Sequence, residues 1–373
     1  MRLGFLLPCM DRMGHGIGLA KPGRMRRPAI LSACIAGVLV AASGGLDAAA
    51  HVTRAQRLEA IRHARVWAPT DVEKMNITAG PAGPQAFRPG ETVSCDFVPH
   101  PHGQGHTQKF ACRMRGGREL KVRYWPANGE VYAHVAASRL LWALGFPAYP
   151  MYPVKVICHG CDGDPFRQKA VIAGATPVVF DPATIEEKLP GTTLETKPDE
   201  GWAWSELDKV DETAGGSPRR EREALRLLAV LIQHSSNKPI NQRILCLDQP
   251  ACTHTEMIIL DAGNSFGRAN VLNNHDVAAV NFKKWSGVGI WKGARGCEGN
   301  LSWSLSGSLS DPSIGEDGRV FLSNLLARLT DAQLHDLFAV ARFTTRDPHA
   351  TVDDWVAAFK RKREEIAARH CQG

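Results

Sequence analysis

Eight of the ten cysteines lie after residue 50, and six of these stand in couples along the chain, which restricts its fold more than any other feature of the sequence. An even number of cysteines in an exported chain indicates disulfides, although the sequence does not determine their connectivity. The couples are Cys95 with Cys112, Cys158 with Cys161, and Cys246 with Cys252, and Cys297 is left over to pair with Cys371. We therefore predict a disulfide-bonded fold from an oxidising compartment.

The shortest couple, Cys158-His159-Gly160-Cys161, also allows a zinc knuckle or a redox pair. A zinc site needs a second couple of ligands at knuckle spacing. A redox pair needs a helix start in a thioredoxin-like βαβ context. The sequence shows neither of them, so a structural disulfide is favoured.

The N-terminal region indicates export. A basic pair after Met25 precedes an apolar run over residues 29–42, and three alanines at 48–50 supply the small side chains that a signal peptidase accepts. The run is shorter than the roughly 20 apolar residues of a membrane span. We predict a signal peptide over residues 1–50, with Met25 as an alternative first residue. The mature protein would be periplasmic or secreted, with no stable membrane span.

Lipidation is the minor alternative to cleavage of the signal peptide. The run Leu31-Ser32-Ala33-Cys34 has the form of a lipobox. The apolar residues that should precede such a cysteine mostly follow it, so Cys34 lies inside the hydrophobic segment. We therefore favour a cleaved signal peptide over a lipoprotein anchored through Cys34.

The charge pattern argues against a nucleic-acid partner. The formal net charge is +7, but lysine and arginine are spread along the chain without a dense basic block. A nucleic-acid-binding protein usually concentrates these residues in a patch or stripe. We expect no nucleic acid among the partners.

The hydrophobic periodicity predicts a mostly-β part followed by a helical part. A helix from residue 57 to 67 and a Pro/Gly-rich linker fill residues 51–90. The next part, residues 91–190, contains strands at 93–98, 109–114, 119–124, 152–157 and 182–189, with a helix at 130–144 after the third strand. The last part, residues 191–373, contains a helix from Ser217 to just before His234, short strands at 242–247 and 256–260, and helices at 319–329, 332–342 and 353–370, the last two capped by Thr330 and Thr351.

Two polar segments flank the short strands of the second half. The first reads His234-Ser235-Ser236-Asn237-Lys238-Pro239-Ile240-Asn241, and the second reads Asp261-Ala262-Gly263. The first resembles the protein-kinase loop H-R-D-L-K-P-E-N at its His, Lys, Pro and Asn, and the second resembles D-F-G. A helix before the loop and a hairpin before the aspartate follow the kinase order. The resemblance implies a two-lobed, protein kinase-like α+β fold.

The resemblance also implies a nucleotide, ATP or another, bound with Mg²⁺ in the cleft between the lobes. Phosphoryl transfer concentrates negative charge, which the metal ion and a lysine offset. Asp261 would bind the main metal and Asn241 the second. Lys238 would neutralise the transferred group, and His234 would be structural.

The N-terminal half supplies the other implied site residues. Gly103 and Gly105 lie between the first two strands, where kinases have a glycine-rich hairpin over the phosphates. Lys121 and Arg123 lie on one face of the third strand. Glu130, at the start of the next helix, is the candidate ion-pair partner of Lys121. The resemblance would place the first cysteine couple across the first two strands.

One departure from the kinase pattern leaves the activity open. Ser236 stands where kinases have the catalytic aspartate, and a serine hydroxyl does not readily accept a proton at neutral pH. Slow phosphoryl transfer to a protein or small-molecule acceptor, a different nucleotide transfer, and nucleotide binding alone, as in a pseudokinase, all remain open. The alternative is a non-catalytic, disulfide-stabilised envelope module that recognises a protein or a cell-wall component.

The loop is also similar to that of a group of exported bacterial proteins, which reads H-x-D-N-K-x-x-N-Q-R. The matching residues here are Asn237-Lys238 and Asn241-Gln242-Arg243, followed by Ser265-Phe266-Gly267. This similarity implies no substrate.

Two further groups of residues have plain structural explanations. Histidines crowd the loop around Gly103 and could bind a metal, but no carboxylate or cysteine lies close by. Several tryptophans could bind sugars or peptides, although anchoring the core is the favoured role for so large a side chain. The histidines are His100, His102 and His106, and the tryptophans are Trp202, Trp204, Trp285, Trp291 and Trp303.

Overall fold

The computed structural model describes residues 50–99, 107–268, 278–301 and 307–371. The chain divides into two units, Met1–Gly45 and Leu46–Gly373, and the described residues all belong to the second. Several predictions fall on residues outside the described ranges. These are nearly all of the signal peptide, Cys34, Gly103, Gly105, Trp303 and the histidines at 100, 102 and 106.

Five strands of the N-terminal half close into a barrel. They are β2 (Thr92–Val98), β3 (Lys109–Arg113), β4 (Glu119–Tyr124), β5 (Met151–His159) and β6 (Val178–Glu186). Their order around the barrel is β2-β3-β4-β6-β5. Neighbouring strands are antiparallel except β2 and β5, which run parallel and close the barrel.

Alternating side chains separate the barrel interior from its outer face. In β4, Leu120 and Val122 point into an apolar core that belongs to the barrel alone. Because side chains alternate along a strand, Lys121 and Arg123 point to the outer face. Charged residues on an outer face are usually solvated, but Arg123 is buried here.

Helix α2 (Glu130–Ala143) covers this outer face and is buried along almost its whole length. The Asn128 side chain accepts a hydrogen bond from the Glu130 backbone N–H at 3.1 Å, which stabilises the start of the helix. Gly145 follows the helix with a φ of 86°, a left-handed conformation that favours glycine. The apolar side chains of α2 join the larger core of the second half rather than the core of the barrel.

The second half combines a small sheet with helices. Its strands are β1 (Ala50–His51), β7 (Thr192–Glu195), β8 (Gln242–Cys246) and β9 (Thr255–Ile259), in the order β1-β7-β8-β9. Its helices are α1 (Arg54–Arg62), α3 (Arg219–Leu231), α4 (Phe282–Ser286), α5 (Glu316–Ala327), α6 (Asp331–Val340), α7 (Phe343–Arg346) and α8 (Val352–Ala368). Helices α6 and α7 pack against α2.

The predicted helix caps are confirmed. The hydroxyl of Thr330 accepts a hydrogen bond from the Gln333 backbone N–H, and Thr351 does the same for Asp354. In each case the third residue of the helix bonds back to the cap. Such a capping box satisfies two backbone donors that a helix start would otherwise leave free.

The cysteine couples form four disulfides. Cys95–Cys112 joins β2 to β3, and Cys158–Cys161 closes a short loop after β5. Cys246–Cys252 lies in the β8–β9 connection, and Cys297–Cys371 ties the segment after α4 to the C-terminal end. The Cys158–Cys161 disulfide agrees with the structural role favoured over a zinc or redox site. Disulfides of this kind form in oxidising compartments.

The predicted architecture, α+β with a small mostly-β lobe before a larger helical lobe, is confirmed. Some local predictions were wrong. The first helix ends at Arg62 rather than residue 67, because Arg65 pairs with Glu256 of β9. The strand predicted at 182–189 is β6, which begins at Val178 and ends at Glu186. Residues 192–195, for which we predicted no strand, form one that pairs with β1 and β8. No helix among the described residues is long and apolar enough to cross a membrane.

Candidate functional site

The guanidinium of Arg123 is the centre of the candidate site. Its Nη1 lies 2.6 Å from Oε2 of Glu186, its Nη2 lies 3.0 Å from Oδ2 of Asp261, and its Nε lies 3.6 Å from Oε2 of Glu130. The side chain is only 1% exposed. Burial alone would lower the pKa of Arg123, but the three carboxylates outweigh burial and raise it. One buried cation thus joins β4, β6, α2 and the segment after β9.

We had predicted Glu130 as the ion-pair partner of Lys121, but Lys121 pairs with Glu186 instead. Its Nζ lies 3.0 Å from Oε2 of Glu186, and the two residues face each other in the register of β4 and β6. The charged atoms of Glu130 instead approach Arg123. The prediction was wrong because Glu186 stands directly across the strand pair, whereas Glu130 lies at the entrance of α2.

Asp261 is held from two sides. Its Oδ1 accepts a hydrogen bond from the Gly263 backbone N–H at 3.0 Å, and its Oδ2 accepts one from Arg123. Burial would raise the pKa of Asp261, but the neighbouring side chains of His134, Arg123 and Lys121 and the Gly263 backbone N–H hold it well below its usual range. The carboxylate is therefore ionised at neutral pH.

Glu130 is a carboxyl group of the opposite kind. Burial and the nearby charge of Asp261 raise its pKa to about 7, against the opposing effect of Arg123. Its side chain also explains the glycine that follows Ala262. A Cβ atom at Gly263 would come within 2.9 Å of the Glu130 side chain, so only glycine fits without a shift.

His134 connects α2 to the Asp261 segment. The Ala262 backbone N–H donates a hydrogen bond to its Nε2 at 2.9 Å. Burial, together with the charge of Arg123, lowers the pKa of His134 to about 3, so the ring is neutral at neutral pH. Because Nε2 accepts a hydrogen bond, we assign the ring proton to Nδ1.

The loop from His234 to Asn241 lies against the same segment. The backbone carbonyl of Asn241 accepts hydrogen bonds from the N–H groups of Leu260 and Asp261, at 2.9 and 3.0 Å. The Asn241 side chain donates from Nδ2 to the Ser236 carbonyl at 2.6 Å, which leaves Oδ1 as its acceptor end. The loop residue Asn241 and the carboxylate residue Asp261 are therefore neighbours.

Asn237 gives the loop its shape. Its Oδ1 accepts hydrogen bonds from the backbone N–H groups of Ser308 and Leu309, and its Nδ2 donates to the carbonyls of His234 and Leu309. The side chains of Ser236 and Lys238, on either side of it, are half-buried. An asparagine inside a loop carries no signal of such a role, so the sequence did not single out Asn237 for it.

His234 is buried within the loop. Burial lowers its pKa to about 4, and neither ring nitrogen has a hydrogen-bond partner among the described residues. Its ring lies 6.1 Å from that of Trp204. A neutral, buried ring agrees with the structural role that the resemblance implied for His234.

The sequence pattern of a serine nucleophile also occurs directly after Asp261, but it does not form a catalytic site. Residues 263–267 read G-x-S-x-G, with Ser265 in the centre. A nucleophile elbow exposes its serine hydroxyl to substrate. Ser265 is 1% exposed, and its Oγ donates to the Ala262 carbonyl at 2.8 Å. The hydroxyl therefore holds the turn after Asp261.

The donor set can hold Mg²⁺ only together with a ligand. Among the described residues there is no group of three or more His, Cys, Asp or Glu side chains placed to hold a metal ion. Mg²⁺ is usually bound by one or two protein oxygens together with substrate phosphates. The Asp261 carboxylate and the Asn241 amide oxygen fit that second arrangement.

Comparison with known proteins gives distant structural neighbours. A scan against models of protein families finds no match, and no curated protein sequence matches the chain. Among solved structures, the chain is similar to the Helicobacter pylori proinflammatory kinase CtkA, with a TM-score of 0.37 and 12% identity over 74% of this chain and 95% of that one. It is also similar to the Golgi casein kinase with Mn/ADP bound, with a TM-score of 0.33 and 12% identity over 74% and 72%.

Proposed function

We propose that this chain is an exported, kinase-like protein that binds a nucleotide with Mg²⁺ in the cleft between the barrel and the helical lobe. One observation carries the proposal. Arg123 on the barrel contacts Asp261 of the second half at 3.0 Å, although the two residues are 138 positions apart. A strand cation, a metal-binding type of carboxylate and the Asn241 loop thus meet at one place.

The residues of the cleft would divide the work of holding a polyphosphate. The oxygens of Asp261 and Asn241 would hold Mg²⁺, which would offset the negative charge of the phosphates. Lys121 is 39% exposed and can turn from Glu186 toward a phosphate oxygen. Arg123 keeps Asp261 ionised and in position, because it is buried against that carboxylate.

Ser236 limits what the site can catalyse. A general base contributes about 10²–10⁴-fold to a proton transfer, and a serine hydroxyl does not supply that contribution at neutral pH. Nucleotide binding and positioning do not depend on it. We therefore propose either slow phosphoryl transfer or nucleotide binding without turnover.

The second candidate function is a non-catalytic envelope module. A cavity of about 700 Å³ lies outside the cleft, lined by residues that include Trp291, Arg295, Glu365, Arg369 and His370. Ligand pockets usually have volumes of roughly 300–1,000 Å³. This cavity favours recognition of a small group from a protein or cell-wall component.

Thermal unfolding separates the two candidates. A ligand that binds only the folded state raises the melting temperature, so ADP or ATP with Mg²⁺ should stabilise the wild-type protein. The shift should be lost in Asp261→Asn and kept in Asp353→Asn, an exposed aspartate of α8. A wild-type protein that no nucleotide stabilises would favour the envelope module.

Transfer of a radiolabelled γ-phosphate to the protein itself or to casein tests turnover. We expect slow transfer or none in the wild type, and none in Asp261→Ala. Restoring the carboxylate in Ser236→Asp should raise the rate by about 10²-fold or more. A Ser236→Asp variant that binds nucleotide but transfers nothing would show that the loop lacks more than its base.

A further inference from the structure

Lys109 lies at the cleft beside the two predicted cations of β4. It is the first residue of β3, and the antiparallel register places it directly opposite Arg123. Phe110, the next residue, points into the barrel core. The strand alternation therefore directs Lys109 to the outer face, where Lys121 and Arg123 also lie.

Lys109 differs from these neighbours because it has no counter-ion among the described residues. Lys121 and Arg123 both contact Glu186, and Arg123 also contacts Asp261. Lys109 is half-buried, and in the described part of the chain no carboxylate oxygen lies within 4.0 Å of its amine. A partly desolvated ammonium group without a partner is costly for the folded protein.

The surroundings of Lys109 disfavour its ammonium charge. Burial lowers the pKa of Lys109, and the charges of Lys121 and Arg123 lower it further, against the opposing effects of Asp261 and Glu130. A bound anion would relieve both the desolvation and the repulsion between the cations. The carboxylates of the cleft do not provide this relief, because they contact Lys121 and Arg123 instead.

We propose that Lys109 is an anion-binding residue of the cleft that takes a phosphate group of the bound nucleotide. This assignment rests on the proposed nucleotide binding. The phosphate would lie between Lys109 and the exposed amine of Lys121, on the outer face of β3 and β4. The polyphosphate would then contact a lysine of β3 in addition to Lys121 of β4, the lysine that the kinase resemblance indicated.

The test compares anion binding to variants by isothermal titration calorimetry. The probes are inorganic tripolyphosphate without metal, and ADP with Mg²⁺. The variants are Lys109→Met and Lys109→Gln, each checked for a native melting temperature. The matched control is Lys155→Met, which removes a half-buried lysine of β5 in the same barrel.

We expect Lys109→Met and Lys109→Gln to weaken tripolyphosphate binding by at least about tenfold, because a hydrogen bond between charged groups is lost. Lys155→Met should bind as the wild type does. If the wild type binds ADP with Mg²⁺ and the Lys109 variants bind both probes equally well, the assignment of Lys109 is wrong while the proposed function stands. If Lys109 is needed for tripolyphosphate and the wild type does not bind ADP, Lys109 is an anion-binding residue but takes no nucleotide phosphate, and the proposed function fails. A wild type that binds neither probe overturns both.

Discussion

The guanidinium of Arg123 is buried among three carboxylates, and it requires them to balance its charge. Arg123 gives up nearly all of its hydration, and an arginine does not become neutral at any ordinary pH. Its charge must therefore be met by Glu186 and Asp261 in every folded molecule, with Glu130 adding to them when it is ionised. The position of the Asp261 carboxylate is a consequence of this requirement as much as of its own backbone.

Glu186→Gln should strongly destabilise the protein. The substitution removes the closest carboxylate of Arg123 and the only one that Lys121 contacts among the described residues. Removing one partner of a buried ion pair costs about 3 kcal/mol. The free energy of unfolding in urea, with the disulfides intact, measures the loss.

The matched control for Glu186→Gln is Glu119→Gln in β4, whose partner Arg113 is largely solvent-exposed. An exposed pair contributes less than about 1 kcal/mol. Equal losses in the two variants would contradict the special role of Glu186.

Glu130 should make the stability of the protein fall as the pH rises. Its pKa is about 7 in the folded protein and 4.5 in the unfolded chain, so the unfolded chain loses this proton first. Stability is therefore lost between about pH 4.5 and 7 and stays low above pH 7. Glu130→Gln removes this loss, and its unfolding free energy relative to the wild type should rise by up to roughly 3 kcal/mol over that range. Urea titrations at several pH values measure the difference, and a constant difference would refute the shift.

At the scale of elements, one hydrogen bond joins α2 to the turn after β9. His134 of α2 accepts it from the Ala262 N–H, in a buried place where no solvent replaces the ring. The imidazole of His134 therefore fixes the distance between α2 and the segment that carries Asp261. A shift of α2 along its axis would break the bond.

His134→Leu should free the Ala262 amide. The variant keeps an apolar side chain of similar size but leaves a buried N–H without a partner, at a cost of about 1–3 kcal/mol. Amide hydrogen exchange at Ala262 should accelerate more than the global stability change explains. His159→Leu at the exposed end of β5 is the control, and unchanged protection of Ala262 in His134→Leu would contradict the role of the bond.

The elements differ in how far the sequence predicted them. The bounds of β4 follow from its side-chain alternation, and the face shared by Lys121 and Arg123 follows with them. Glu186 lies 63 residues from Arg123, and the register that brings them together depends on how β4 and β6 pair. No local sequence pattern indicates that register, so the role of Glu186 in the site was not predicted.

The same reason explains the helix that ended early. Residues up to 67 have helical periodicity, but the backbone of Arg65 pairs with that of Glu256 in β9. Lys109 was missed for a related reason, because its significance depends on what its neighbours contact. Asp261 and Asn241 could be predicted as site residues because a motif contains them in order along the chain.

At the scale of the whole molecule, the four disulfides differ in the length of chain they enclose. Cys297–Cys371 spans 74 residues of sequence, and Cys246–Cys252 spans 6. A longer closed loop removes more entropy from the unfolded chain. The longest bond should therefore contribute the most to stability.

Paired Cys→Ala substitutions test this ranking. On the loop-entropy model, losing Cys297–Cys371 should cost about 4 kcal/mol and losing Cys246–Cys252 about 2 kcal/mol. Guanidinium unfolding under non-reducing conditions measures both losses. A larger loss from the short loop would show that strain or packing, rather than chain entropy, decides the contribution.

The barrel has an apolar core of its own, whereas α2 shares the core of the helical lobe. Helix α2 therefore belongs to the core of the helical lobe while it also contacts β4, β5 and β6 of the barrel. A change in its packing would be transmitted to both parts of the fold, and with it to the position of the Asp261 segment, which His134 of the same helix holds through Ala262.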